Sequence, residues 1–181
     1  MKSIYSLRLP YLAVFLFLNG CSVLVGQVKP VEEKAPKVPF TDVSVIAPGW
    51  KRLEIPAKTK SADDIPDAAW QSGTTAAVIS LNSACRQAPD DDRTDLKEVT
   101  RIILSQWDNL TIISEEAKTL SGLPAWETAA EGKYLGRERK FETMVVKTPT
   151  CVYDLIYLSP VKTFAQELSV FQRFRDSLNL K

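Results

Sequence analysis

The sequence predicts an α+β domain in which a mainly antiparallel β-sheet is covered by two amphipathic helices. Several segments alternate apolar and polar residues with the period of two that half-buried strands show. Short links rich in turn residues join the last four of these segments, and short links imply antiparallel neighbours. Two other segments repeat apolar residues at three- and four-residue steps, which indicates helices that cover a sheet. We expect one helix on each face or both on one.

Three strands are predicted before the first helix. Residues 50–55 alternate and stop at Pro56, and a short segment at residues 68–70 is expected to pair with them. Residues 74–83 follow a Ser-Gly turn and predict a clearer strand. The apolar side chains of this strand share one face: Ala77, Ile79 and Leu81.

The first helix is predicted to begin after an acidic turn at residues 89–92. Asp92 is a good N-cap because its carboxylate can accept a hydrogen bond from a free backbone amide of the first turn. A helix of about fourteen residues follows. Its apolar stripe consists of Leu96, Val99, Ile102, Ile103, Trp107 and Leu110. The acidic run lacks the glycine and glutamate that a calcium loop requires, so we predict a solvated cap and no metal site.

Four strands and a second helix complete the predicted domain. The strands are expected at residues 110–120, 125–131, 137–147 and 151–159. Glycine- and proline-containing turns link them. After Pro160 the helical period returns, so the domain ends in a second amphipathic helix. Its apolar positions are Phe164, Leu168, Phe171, Phe174 and Leu178.

The composition excludes several kinds of chemistry. The 181 residues include no histidine, which removes Ser-His-Asp and Cys-His nucleophiles and histidine-bound zinc. We therefore predict no enzyme activity and no cofactor. Lys and Arg number 23 against 22 Asp and Glu, so the charge gives no support for nucleic-acid binding.

The N-terminal segment predicts a lipid anchor. A short basic start precedes an apolar run at residues 11–18, which is too short to span a bilayer and is typical of a secretory signal. Residues 18–21, Leu-Asn-Gly-Cys, resemble the lipobox of bacterial lipoproteins. That resemblance implies removal of the signal peptide at residues 1–20 and acylation of Cys21. Ser22, rather than Asp, follows the cysteine, which by resemblance to enterobacterial sorting implies the outer membrane, facing the periplasm.

A tether is predicted between the anchor and the domain. Residues 21–48 contain several prolines and alternating Lys and Glu, with no sustained apolar period. Such segments stay extended and hold a domain away from a surface. Residues 49–181 are then expected to form a single globular domain.

Two cysteines remain once Cys21 is lipidated. Cys85 and Cys151 are an even pair in a compartment that is expected to be oxidising, so a disulfide between them is plausible. The alternative is two small buried thiols on neighbouring strands. Only a structure distinguishes the two, because the bond needs the correct geometry.

The order β-β-β-α-β-β-β-β-α and several local phrases resemble the PsbP/Mog1-like superfamily, which includes bacterial envelope lipoproteins of the DcrB type. The phrases are Gly49-Trp50 leading to Ile55-Pro56, the turn from Ser121 to Ala125, Tyr153-Asp154 on the last strand, and Phe171 with Phe174 on the terminal helix. The resemblance implies an α/β/α sandwich. It also implies a noncatalytic binding or assembly factor, since members share a fold more than a chemistry.

The last strand supplies the candidate binding residues. Asp154 shares its face with apolar residues, and a carboxylate in such surroundings needs a partner. That partner is either a base of the neighbouring strand or a ligand in a cleft under the helix. The candidate bases are Arg137, Arg139 and Lys140. Tyr153 and Tyr157 lie on the opposite face and, with Trp126, either line a groove that holds a partner or belong to the core.

Two functions follow as hypotheses. The first is a noncatalytic, lipid-anchored periplasmic domain that binds another envelope protein and supports the assembly or maintenance of a larger complex. It would contact the membrane through its lipid anchor. The second is a carrier, in which the space between the sheet and a helix accepts a lipid or another apolar ligand for envelope transport. A closed, well-packed core would argue against the carrier.

Overall fold

The computed structural model describes residues 39–55, 66–85 and 95–180. The signal segment, the lipobox with Cys21, and Asp92 lie outside these residues. The elements, in chain order, are α1 (Val43–Ile46), β1 (Trp50–Arg52), β2 (Ala68–Ser72), β3 (Val78–Cys85), α2 (Leu96–Leu104), β4 (Asp108–Leu120), β5 (Leu123–Tyr134), β6 (Arg137–Lys147), β7 (Cys151–Pro160) and α3 (Phe164–Asp176). A short 3-10 turn, Val161–Thr163, leads into α3.

The strands form one seven-stranded sheet in the order β1-β2-β3-β7-β6-β5-β4. Every neighbouring pair is antiparallel. Strand β7 comes last in sequence but lies between β3 and β6, so it joins the N-terminal strands to the β4–β5–β6 meander. The mainly antiparallel sheet that the alternation predicts is therefore confirmed.

The two long helices cover opposite faces of the sheet, which settles the choice that the sequence left open. Phe171 and Phe174 of α3 pack on one face, together with Tyr157 and Leu155 of β7. Leu104 of α2 packs on the other, in a smaller cluster with buried residues of β5 and β6. The result is the expected α/β/α sandwich, and we call its two sides the α3 face and the α2 face.

The packed domain begins earlier than the predicted boundary at residue 49. Phe40 packs edge-on against Trp70, with ring centroids 5.6 Å apart, and contacts Phe174 at 5.7 Å. Val43 of α1 is fully buried. These residues carry apolar side chains without a helical or strand period, so the proline-rich composition around them predicted a tether. Four residues of this segment belong to the α3-face core instead: Phe40, Val43, Ile46 and Ala47.

Helix α2 is shorter than the fourteen residues predicted. Its described N-cap is Asp95, whose Oδ1 accepts from the backbone N–H of Lys97 at 3.0 Å. The helix ends at Leu104 because Trp107 turns inward to pack against Phe141, with ring centroids 4.9 Å apart. Leu110, which fits both the helical period and the next strand, lies in β4.

Two-residue turns connect the strands of the meander. Leu135 and Gly136 link β5 to β6 with φ angles of 50° and 72°. Ser121 and Gly122 link β4 to β5 with φ angles of 52° and 78°. Two successive positive φ angles match the twist of a hairpin and normally require Asn, Asp or Gly. The second position of each turn is glycine, whereas the first is not.

Candidate binding surfaces

Tyr153 and Tyr157 are core residues beneath α3. The Tyr157 hydroxyl donates to the backbone carbonyl of Phe164 at 2.9 Å, and its ring stacks on Phe171. Burial raises the pKa of Tyr157 to about 12, although a hydrogen bond with Ser159 opposes the shift. The phenol is therefore protonated at neutral pH and closed off from solvent.

Of the two alternatives for the tyrosines and Trp126, a shared groove or the core, the register does not support the shared groove. Trp126 of β5 lies opposite Val145 in the β5–β6 register, and Val145 lies opposite Asp154. Because these residues share a row across the sheet, Trp126 points to the α2 face with Asp154, whereas Tyr153 and Tyr157 point to the α3 face. The sheet itself separates the three aromatic residues. The alternation along β7 predicted correctly which residues share a face of that strand. Which residues of β5 lie on the same face depends on the register between the strands.

The register separates Asp154 from Arg137, Arg139 and Lys140, the bases that the sequence offered as its partners on the neighbouring strand. Its cross-strand neighbours are Asn82 and Val145. Lys140 lies opposite Ser159, and Arg139 lies opposite Pro160. Because the strands are antiparallel, these bases and Arg137 sit at the far end of β6, five or more residues along the strand from Asp154. The structure brings Asp154 and Trp126 to one face, half-buried, and assigns neither of them a ligand.

Around Trp126, β5 meets the start of α2. The Lys97 ammonium lies 5.3 Å from the centre of the Trp126 ring and 2.7 Å from a carboxylate oxygen of Glu115. In this described contact region, Trp126 Nε1 and Thr128 Oγ1 are buried without a hydrogen-bond partner. A buried polar atom without a partner weakens the packing that surrounds it. The contact between α2 and β5 therefore contains two buried polar atoms without a partner.

A half-buried ionic cluster fastens the end of α3 to the sheet. Arg175 Nη1 lies 2.7 Å from Glu127 Oε1 on β5 and 3.9 Å from Glu142 Oε1 on β6. Lys118 Nζ of β4 lies 3.7 Å from Glu127. Burial raises the pKa of the Glu142 carboxyl, and the negative charge of Glu127 raises it further, while Arg175 opposes the shift.

Sequence analysis missed this cluster. Its members come from four elements, and no spacing along the chain connects them. One sequence feature could have pointed to it: Glu127 occupies a strand position whose alternate neighbours are apolar, as Asp154 does, and Glu142 has Met144 as one of its alternate neighbours. Carboxylates at such positions need a cation, and Arg175 lies on the predicted terminal helix.

Strand β4 is the longer of the two edge strands of the sheet. This thirteen-residue strand is an edge, and none of the described strands pairs with its outer side. Register irregularities interrupt its pairing with β5 near Asp108 and near Ile113, but pairing is regular from Ser114 to Leu120. Ile112 and Ile113 are 41% and 48% exposed. We call the outer side of β4, including these two isoleucines, the β4 edge.

Cys85 and Cys151 are joined by a disulfide in the structure. They are register partners at the end of β3 and the start of β7, and their Cα atoms lie 4.0 Å apart. The bond links the N-terminal strands to the meander at one end of the α3-face core. The structure therefore brings together the two cysteines that the sequence offered as a pair.

Together, the sheet order and the helices on its two faces define a PsbP-like α+β fold. The solution structure of cyanobacterial PsbP (CyanoP) from Synechocystis is similar, with a TM-score of 0.52 and 12% identity over 72% of this chain and 81% of that chain. LpqN of Mycobacterium tuberculosis, described as involved in cell envelope biogenesis, has a TM-score of 0.51 and 14% identity over 78% of this chain and 80% of that one. No protein-family profile matches the sequence, and no curated protein does.

The described residues offer neither a membrane-spanning helix nor a metal-binding cluster. Within residues 39–55, 66–85 and 95–180, no helix has both the length and the apolar character needed to cross a bilayer. The same residues contain no group of three or more Cys, Asp or Glu side chains placed to hold a metal ion.

Proposed function

We propose that this protein is a noncatalytic, lipid-anchored envelope protein that binds another envelope protein through the β4 edge. In this proposal Cys21 carries the lipid, the anchor lies in the outer membrane, and the domain faces the periplasm. Binding supports the assembly or maintenance of a larger complex. The single observation that carries the binding function is the long, unpaired β4 edge with its two exposed isoleucines.

An exposed edge strand is a template for pairing with another chain. Natural proteins usually shorten or cover such strands, whereas β4 spans thirteen residues. The regular stretch from Ser114 to Leu120 holds a straight row of backbone donors and acceptors toward solvent. An extended segment of a partner can add to this row as an eighth strand, with side-chain contacts to Ile112 and Ile113 supplying specificity.

The envelope location rests on the lipobox at residues 18–21, as read from the sequence. LpqN is an example of a protein with this fold that is described as involved in cell envelope biogenesis. The absence of histidine from the chain supports a noncatalytic role, because it removes the commonest general base near neutral pH.

The carrier hypothesis gains no support from the α3 face. Large side chains from both layers fill the space between the sheet and α3, and the largest of them are fully buried: Trp70, Tyr157, Phe171 and Phe174. Their rings contact one another, with Trp70 and Phe174 centroids 5.1 Å apart. A lipid chain in this space would have to displace aromatic residues that hold α3 in place.

The test is a paired substitution on the β4 edge. The full chain with Ile112→Lys and Ile113→Lys is expressed in its own host, and a photo-crosslinker at Ser114 captures whatever pairs with the strand. We expect one crosslinked envelope protein with the native edge and its loss with the two lysines. Val45→Lys is the matched control, because Val45 is an exposed apolar residue of α1. Equal crosslinking in the double variant, or equal loss in the control, would contradict the proposal.

A further inference from the structure

The β5–β6 turn carries a leucine that the fold does not need. Leu135 is 84% exposed and adopts a φ of 50° at the first position of a two-residue turn. A side chain with a Cβ is disfavoured at positive φ, and Asn, Asp or Gly fits this turn better. Because the side chain stays exposed, no burial offsets this strain. A strained residue without such compensation points to a role outside folding.

Basic residues surround this leucine. Residues 133–140 contain four basic residues and one acidic residue in a chain whose formal net charge is +1. The acidic residue, Glu138, lies 3.7 Å from Lys133. Arg137, Arg139 and Lys162 form no ion pair with any residue in the described ranges. Three cations at this end of the molecule are thus left without a neutralising partner.

A second apolar side chain extends the same surface. Arg139 lies opposite Pro160 in the β6–β7 register, so the turn at Val161–Thr163 follows directly beside it. Val161 is 41% exposed. We call the surface formed by Leu135, Arg137, Arg139, Val161 and Lys162 the basic tip. Besides Glu138, which lies between the two arginines and pairs with Lys133, the next acidic strand positions are Asp108, opposite Lys133, and Glu131, opposite Lys140.

We propose that the basic tip binds the surface of a bilayer that contains anionic phospholipid. Leu135 enters the interface between headgroups and acyl chains, and the cations of Arg137, Arg139 and Lys162 lie at the level of the lipid phosphates. Membrane-surface binding combines burial of apolar side chains with attraction of Lys and Arg to anionic headgroups. The basic tip supplies both in one place.

The shape of the basic tip favours a bilayer over a folded protein. A stable protein interface buries about 800 Å² on each partner around a packed central anchor. Here the apolar contacts are Leu135 at the apex of a hairpin and the partly exposed Val161, with cations rather than an apolar rim around them. A fluid surface can close around a projecting side chain, whereas a rigid partner needs a matching pocket. The proposal uses only residues of the domain and does not depend on Cys21 or on the β4 edge.

The experiment is vesicle co-sedimentation with the mature chain, residues 21–181, carrying Cys21→Ser, so that neither the signal segment nor an acyl chain contributes. Binding to vesicles of phosphatidylcholine with phosphatidylglycerol is compared with binding to phosphatidylcholine alone. We expect binding that requires the anionic lipid and weakens with salt. Arg137→Gln and Arg139→Gln should each weaken binding about fivefold, the effect of one cation near an anionic surface.

Leu135→Asn distinguishes a binding role from a folding role. Asparagine tolerates the positive φ, so this variant should unfold at a higher temperature while binding anionic vesicles about fivefold more weakly. Val45→Asn is the matched control, because Val45 is an exposed apolar residue outside the basic tip. Unchanged binding by Leu135→Asn, equal binding to neutral vesicles, or no binding by the native sequence would each overturn the proposal. The proposal would also be overturned if a photo-crosslinker at the basic tip captured an acidic protein, and if substitutions in the basic tip abolished that crosslink but left vesicle binding unchanged.

Discussion

Thr128 and Thr143 face each other across β5 and β6, and their environments differ in one respect. Both are fully buried. Thr143 Oγ1 donates to the carbonyl of Leu155 at 2.9 Å, whereas Thr128 Oγ1 has no hydrogen-bond partner. Because valine has nearly the same shape, replacement of each threonine isolates the contribution of its hydroxyl.

We expect Thr128→Val to raise the free energy of unfolding by about 1 kcal/mol, since it removes an unpaired buried hydroxyl. Thr143→Val should lower it by about 1 kcal/mol, because the Leu155 carbonyl loses its donor. Denaturant titration of both variants measures the two changes. Destabilisation of similar size in both would show that Thr128 has a partner in solution.

Glu142 gives stability a pH dependence that follows from its surroundings. Burial and the Glu127 carboxylate raise its pKa above the ordinary value of 4.5, against the opposing Arg175 and Lys118. The folded state therefore holds this proton more tightly than the unfolded state does. Protonation of Glu142 therefore stabilises the folded state fully below pH 4.5, and this stabilisation is lost as the pH rises through the raised pKa of Glu142.

Glu142→Gln removes this pH dependence while it keeps a side chain that can bond to Glu127. The variant should gain stability relative to the native protein as the pH rises above 4.5, and thermal unfolding over a pH series measures the difference. Glu138→Gln, on the same strand, controls for the loss of one negative charge. A difference that shrinks with rising pH would contradict the assignment.

Single residues were the hardest level to predict from the sequence. Alternation placed Asp154 and Tyr153 on opposite faces correctly. It did not show that Trp126 belongs with Asp154, because that relation depends on the pairing of β5, β6 and β7. The carboxylates around Arg175 were missed for the same reason.

At the level of elements, one carboxylate joins α3 to the turn between β2 and β3. Glu167 in the first turn of α3 accepts hydrogen bonds from the hydroxyls of Ser72, at 2.9 Å, and Thr74, at 3.3 Å. It also accepts one from the hydroxyl of Thr75. Ser72 is itself buried, so the turn depends on α3 for its polar partners.

Glu167→Ala should lower the free energy of unfolding by about 2 kcal/mol, because it leaves a buried hydroxyl without its charged acceptor. Gln166→Ala, one position earlier and exposed, should change it by less than about 0.5 kcal/mol. Hydrogen exchange of the β2–β3 turn should speed up only in the first variant. Equal effects of the two substitutions would show that Glu167 acts only through helix propensity.

The elements themselves were largely predictable. The four C-terminal strands and both long helices arise from clear periods and strong turn residues, and β6 has the predicted bounds. The prediction failed where the helical period of α2 continues into the alternation of β4. Helix α2 ends early because Trp107 belongs to the small core near Phe141. Short α1 was missed because four residues are too few to show a period.

At the scale of the whole molecule, the Cys85–Cys151 disulfide joins strands 66 residues apart in sequence. A cross-link over such a loop stabilises a fold by about 4 kcal/mol in the chain-entropy model. Reduction, or Cys85→Ser with Cys151→Ser, should therefore lower the free energy of unfolding by about that amount. Denaturant titration with and without reductant measures it, and insensitivity to reductant would mean that the bond does not form.

The molecule has two ends, at opposite ends of β5 and β6, and we propose different roles for them. The backbone N–H of Asn179 donates to the carbonyl of Pro39, and the Ser121 hydroxyl donates to the carbonyl of Leu178. The segment before α1, the segment after α3 and the β4–β5 turn therefore lie together at one end. The basic tip lies at the opposite end of β5 and β6. The β4 edge runs between the two ends and can meet a partner along its length.

The central claim is that an anchored domain binds another envelope protein. Native mass spectrometry of the full chain, extracted gently from its own membrane, tests this most directly. We expect a mass tens of kilodaltons above that of the acylated polypeptide, and we expect this excess to be lost with Ile112→Lys and Ile113→Lys. The acylated polypeptide alone, or an excess no larger than a small molecule that is released on unfolding, would contradict it.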